Sequence, residues 1–178
     1  VALLRAEGFS EFTVEINGDN LVYASDARRR EIEEFLAAEE ALPLEQRIVA
    51  MNGSYQVDQL PQRMGRVDWC VVPSTWWEIF GLVISEAWMF RRPVIASDIG
   101  GPGERIRHEE DGLHFAVGDA RSLADALRRA ATEEGLWERL SAGIVAPAGR
   151  EVMVGGFLDV YRGGSGAAAA PAAATRSR

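Results

Sequence analysis

The stretch Pro73-Ser74-Thr75-Trp76-Trp77-Glu78-Ile79-Phe80-Gly81-Leu82-Val83-Ile84-Ser85-Glu86-Ala87 decides how this chain is read. The apolar run before it, Trp69-Cys70-Val71-Val72, reads as a buried strand. Pro73 and Ser74 end that strand, and a helix is predicted over Gly81 to Phe90. Glu78 then lies in a strand-to-helix loop and Glu86 inside the helix. Allowing about 7.5 Å for the helical steps and at most roughly 10 Å for the loop, the two carboxylates are expected on the order of 8 to 12 Å apart. That separation suits the two ends of an extended ligand.

Working outward, strands are expected at Phe12 to Ile16 and Arg47 to Met51 upstream, and at Val94 to Ser97 and Leu113 to Val117 downstream. Between them, helical patterns cover residues 26 to 42, Gln59 to Arg66 and Ser122 to Arg139, and a short helix carries Arg105, Ile106 and Arg107. The charges of residues 26 to 42, among them Glu39 and Glu40, read as a solvated face. Strands alternating with helices imply βαβ units, hence an α/β fold with a doubly wound, Rossmann-like parallel sheet. Ligands in such sheets bind beyond the carboxyl ends of the strands. Residues 1 to 162 are read as one domain. Residues 163 to 178, rich in Gly and Ala, are read as a disordered tail.

With 178 residues, 47% of them hydrophobic, the chain can bury a core. A net charge of −8 argues against nucleic acid as a partner. All 19 basic residues are Arg, so Schiff-base chemistry and lysine phosphate clamps are excluded. Cys70 is alone and lies in an apolar strand, which favours a core role over a nucleophilic one. No apolar run is long enough to span a bilayer, and a reducing cytoplasmic setting is the default. The chain opens on Val1 within an apolar helical pattern, which suggests a piece of a longer protein.

Glu86 stands on an otherwise apolar helix expected to be buried on most sides, and a buried carboxylate needs partners. A vicinal diol such as a ribose offers two matching donors; backbone N–H groups of the helix start are the plainer alternative. Glu78 could accept from further hydroxyls or simply open the helix as an acidic residue. Between them, the N–H groups around Phe80, Gly81 and Leu82 form a natural phosphate seat. Phosphate flanked by two hydroxyl-binding acids describes a nucleotide sugar. Gly100-Gly101-Pro102-Gly103 is either a second anion cradle or an ordinary tight turn, being neither GxGxxG nor a P-loop.

Glu78-x7-Glu86 with Phe80-Gly81, followed by Arg92-Pro93-Val94-Ile95-Ala96-Ser97, Gly100-Gly101-x-x-Glu104 and Asp111-Gly112-Leu113, resembles the C-terminal, donor-binding domain of a GT-B retaining glycosyltransferase of the group 1 kind, often called family 4. The resemblance covers roughly residues 1 to 161. It implies a nucleotide-diphosphate sugar as donor, no metal and no other cofactor, and transfer to a hydroxyl acceptor with retention. Glu86 would then bind the ribose, and Glu78, the catalytic candidate, would contact sugar hydroxyls. Backbone around Phe80, Gly81 and Leu82 would face the diphosphate, with Gly100 and Gly101 as further donor-binding candidates, and Ser54 and Tyr55 would lie against the base.

Measured against that family, the first strand of the sheet, its basic diphosphate-gripping pair and the N-terminal acceptor domain are missing. Neighbouring strand edges should be left unpaired, and catalysis by the chain as it stands is not expected. Membrane contact through the absent domain stays open. Two other readings are a non-catalytic nucleotide-sugar-binding module acting in trans and a sugar-nucleotide epimerase of the same architecture. His108 and His114 read as structural or surface residues. Trp76 and Trp77 could stack on a sugar or base, pack on the absent domain, or fill core. Arg91, Arg92, Arg105 and Arg107 are the basic residues expected near the cleft.

Overall fold

A computed structural model describes residues 1–18 and 24–163. The chain divides into two compact units, Val1–Val145 and Ala146–Arg178. That division falls inside the segment read as one domain, and the expected tail lies outside the described residues beyond Gly163. In the first unit, helix α1 (Ala2–Ala6) is followed by β1 (Val14–Asn17), α2 (Asp26–Glu40), β2 (Val49–Gly53), α3 (Leu60–Met64) and β3 (Cys70–Val72). Then come α4 (Leu82–Met89), β4 (Val94–Ser97), α5 (Gly100–Arg105), β5 (Gly112–Phe115), α6 (Ala120–Thr132) and α7 (Leu136–Gly143). The described part of the second unit, residues 146–163, contains α8 (Arg150–Tyr161), which exposes Val152, Met153, Phe157 and Tyr161. No helix is long and apolar enough to cross a membrane among the described residues.

Every strand pairing is parallel, as the alternation requires, but the strands form two sheets. One is β1–β2, with Val14 opposite Val49; the other is β3–β4–β5, with Cys70 opposite Val94 and Val94 opposite Gly112. Among the described residues β4 alone is paired on both edges, and β1, β2, β3 and β5 each pair on one edge.

Strand β4 shows why the architecture is doubly wound. All four of its residues are buried. Successive side chains leave a strand on opposite faces. Val94 and Ala96 accordingly join Val72, Ile84, Ala87 and Trp88 in one cluster, while Ile95 joins Leu113, Phe115, Ala126, Leu136 and Leu140 in another. Helix α4 covers the first face and α6 with α7 the second, so no polar alternation survives in the sequence of β4.

Three expectations need correction. The helix expected over Ser122 to Arg139 is two helices, broken at Gly135 with φ 74°. The nine steps from Leu127 to Leu136, at 3.6 residues per turn, place these residues about 180° apart on one continuous helix. Both side chains reach the same cluster, with Leu136 fully buried, because the left-handed glycine resets the phase. The Gly-rich loop is itself the helix α5, whose Gly100, Gly101, Pro102 and Gly103 are all buried, and the helix expected to carry Arg105, Ile106 and Arg107 ends at Arg105, with Ile106 extended. Glu39, read as part of a solvated face, is only 2% exposed. Its carboxylate pairs with Arg5 of α1 and accepts from the Ile48 N–H at 3.2 Å. It thereby joins α1, the end of α2 and the entry to β2.

Candidate functional site

The strands of the three-stranded sheet run in parallel, so the loops leaving β3 and β4 emerge side by side at its carboxyl end. The loop after β3 carries Glu78, and α4 follows it from Gly81, whose φ of 64° favours glycine. A Cβ at Gly81 would also lie 3.1 Å from Ile84 Cδ1 and 3.3 Å from Glu78 Oε2. The Glu78 carboxylate therefore folds back against the start of α4. Its other oxygen accepts from the buried Ser74 hydroxyl at 2.5 Å. Ser74, which the sequence reading placed only as a strand terminator, is thus the residue that orients Glu78.

Beneath this loop lies α5. The Gly101 N–H donates to the Glu78 carbonyl oxygen at 2.7 Å. A Cβ on Gly101 would sit 2.6 Å from the Ile79 carbonyl oxygen, and one on Gly100 would sit 2.7 Å from that of Glu78. The two glycines consequently press against the chain's own loop, and the Gly101 N–H is occupied by it.

Glu86 is half-buried on α4. Among the described residues its carboxylate accepts no hydrogen bond and forms no ion pair. The plainer alternative, satisfaction by backbone N–H groups of the helix start, is therefore not what is observed. Its charge is felt by Tyr55 and Cys70: burial first, then Glu86, pushes both the Tyr55 phenol and the Cys70 thiol up, the latter to about 12. Cys70 thus stays a protonated thiol at neutral pH, in keeping with a core role. The Arg63 guanidinium lies 5.2 Å from the centroid of the Tyr55 ring. Next to it, Asn52, Gln59, Gln62, Arg63 and Arg66 line a cleft of about 160 Å³. Ser54 follows β2 directly, on the strand end that leads to Tyr55.

Helix α4 is less enclosed than its composition suggests. Ile84, Ala87 and Trp88 are buried, but Leu82 and Met89 are exposed. Trp76 and Trp77 are 65% and 75% exposed, which excludes core filling. Three of the four arginines expected near the cleft hold structure elsewhere. Arg91 donates to Ile144 O, Arg92 to Met64 O, and Arg107 to the buried carboxylate of Asp111. Arg105 instead reaches α4, donating to the carbonyl oxygens of Phe80 and Gly81. The sequence carried no periodic signal for that contact. The rings of His108 and His114 stack at 5.6 Å, and His108 Nδ1 accepts from the His114 backbone N–H, a structural role.

Parallel strands covered by helices on both faces, with this loop at their carboxyl end, define the class as a doubly wound α/β fold, the kind shared by GT-B glycosyltransferases. A glycosyltransferase from Rickettsia africae shares that fold, with a TM-score of 0.70 over 91% of this chain and 42% of its own, at 21% identity. Residues 2–133 match the family Glycosyl transferases group 1, and the chain belongs to that family. The D-inositol 3-phosphate glycosyltransferase of a Nocardioides species is 38% identical over 103 residues, which is 53% of this chain and 22% of that protein. Anabaena Alr3699/HepE, solved in complex with UDP, is similar at 27% identity with a TM-score of 0.60, over 75% of this chain and 35% of its own. The chain thus spans about a fifth of the Nocardioides relative and about a third of HepE.

Proposed function

We propose that this chain is the donor-binding half of a retaining glycosyltransferase, which moves a sugar from a nucleotide-diphosphate sugar to a hydroxyl acceptor. The observation that carries the reading is the Glu86 carboxylate, half-buried on α4 and without a hydrogen-bond donor among the described residues. A ribose diol supplies the two donors such a group lacks. Glu78, oriented by Ser74, accepts from hydroxyls of the donor sugar. The start of α4, at Gly81 and Leu82, receives the diphosphate between them. Tyr55 and Ser54 border the base. Membership of the family and the UDP complex of HepE support the same assignment. Stabilising the leaving diphosphate with fixed N–H groups lowers the barrier without reorganisation, while the acceptor comes from a further domain.

Calorimetry with UDP, GDP and ADP tests the proposal. Glu86→Gln is expected to weaken the tightest of these by about 1.5 to 3 kcal/mol, the range for losing a charged acceptor. Equal affinity of both forms would exclude Glu86 as the ribose acceptor and remove the basis of the reading.

A further inference from the structure

We infer that Arg105 is a positioning residue for the diphosphate, fixing the peptide planes before α4 so that the Gly81 and Leu82 N–H groups are presented to it. The inference rests on the donor-binding reading above. Arg105 is the last residue of α5, and its guanidinium crosses to the start of α4. Nη1 donates to the carbonyl oxygens of Phe80 at 2.7 Å and Gly81 at 3.0 Å, and Nη2 to the Ser85 hydroxyl at 2.7 Å. The guanidinium carbon lies 3.8 Å from the centroid of the Phe80 ring and 5.2 Å from that of Trp88. One side chain therefore holds the residues on both sides of the helix start.

The consequence follows from peptide geometry. A trans peptide carries its C=O and N–H on opposite sides, and no cis peptide occurs among the described residues. With the Phe80 and Gly81 carbonyls turned toward Arg105, the N–H groups of Gly81 and Leu82 point away from it. Gly101 acts in the same way two residues earlier, holding the Glu78 carbonyl and turning the Ile79 N–H outward. The peptides after Glu78, Phe80 and Gly81 are thus fixed from below by α5.

Electrostatics gives an independent reason. All the partners of Arg105 are neutral, and no carboxylate pairs with it among the described residues. Two carbonyls, a hydroxyl and two ring faces offer this cation dipoles and no full negative charge. Burial lowers the pKa of this guanidinium, a sign that its charge is incompletely compensated. An anion seated at the start of α4 relieves that cost. A diphosphate does so, and an uncharged nucleoside does not.

The test uses the 178-residue chain with UDP, GDP and ADP, together with the nucleoside of whichever binds tightest. Arg105→Met is expected to weaken the diphosphate at least tenfold and the nucleoside less than twofold, whereas Glu86→Gln weakens both alike. Arg105→Lys keeps the charge but cannot span three acceptors, and it is expected to show the same selective loss should the Met variant fail to fold. In ¹⁵N–¹H spectra, the Gly81 and Leu82 amides should shift on adding the diphosphate to the unaltered chain and not to Arg105→Lys. An unaltered chain that binds none of the three diphosphates overturns the donor-binding reading and this inference with it. A chain that binds, with both Arg105 variants binding as tightly or losing nucleoside to the same degree, overturns the role of Arg105 alone.

Discussion

Gly101→Ala is expected to lower the free energy of unfolding by about 2 to 3 kcal/mol, the upper part of the range for overpacking a rigid site, and to cut nucleoside diphosphate affinity at least tenfold. The added methyl would lie 2.6 Å from the Ile79 carbonyl oxygen, 2.8 Å from its carbon and 2.9 Å from the Phe80 nitrogen. All three are backbone atoms, so no side chain can swing aside to make room. Relief requires α5 or the loop to move, and either movement stretches the 2.7 Å bond from the Gly101 N–H to Glu78. Stability and binding should therefore fail together, as read by the urea midpoint and by calorimetry. A variant with both unchanged would show that α5 does not set the loop.

Glu39→Ala is expected to cost about 3 kcal/mol without touching the site. Removing one partner of a buried ion pair costs roughly 3 to 5 kcal/mol, and an orphaned buried N–H costs roughly 1 to 3. Arg5 is 35% exposed, so water recovers part of the first term. The pH dependence gives a second readout. Arg5, by its hydrogen bond, holds the Glu39 carboxyl below the usual range, with the Ile48 N–H adding to the effect against burial. A depressed folded pKa means the contribution is complete above the unfolded value, about 4.3 for Glu, and is lost as pH falls through the folded one. The stability curve of the Ala variant should be flatter over that acid range. Curves of equal slope would assign the acid sensitivity to other carboxylates.

Much of the frame was legible because burial on both faces leaves a plain mark. Val94-Ile95-Ala96-Ser97 is apolar without alternation and is bounded by Pro93 and Asp98, and the strand was placed at its observed limits. The start of α4 was legible to within one residue: the apolar run fixed the helix, while Gly81, expected as its first residue, is the left-handed residue that precedes it. What escaped were features set by distant partners. Glu39 and Glu40 look alike in sequence, yet the first is buried and the second exposed, a difference decided by Arg5, 34 residues away. Gly100 and Gly101 advertised open backbone, which suits an anion as well as a neighbouring peptide, and only the packing of α5 under the loop separates the two. The break at Gly135 was masked because Glu133, Glu134 and Trp137 continue an acceptable helical pattern.

The division of the strands into two sheets carries a consequence for hydrogen exchange. Strand β4 donates and accepts within a covered, doubly paired position, so its amides can open only when the unit as a whole opens. Among the described residues strands β1 and β2 pair only with one another, with Ile16 and Met51 exposed, and can lose their ladder while β3 to β5 keep theirs. Two protection classes are therefore expected in the first unit, the β4 amides slowest and those of β1 and β2 faster by orders of magnitude. Ligand that closes on Glu86 and α4 would slow the first class, and the boundary between the classes would mark which half of the fold the nucleotide holds together.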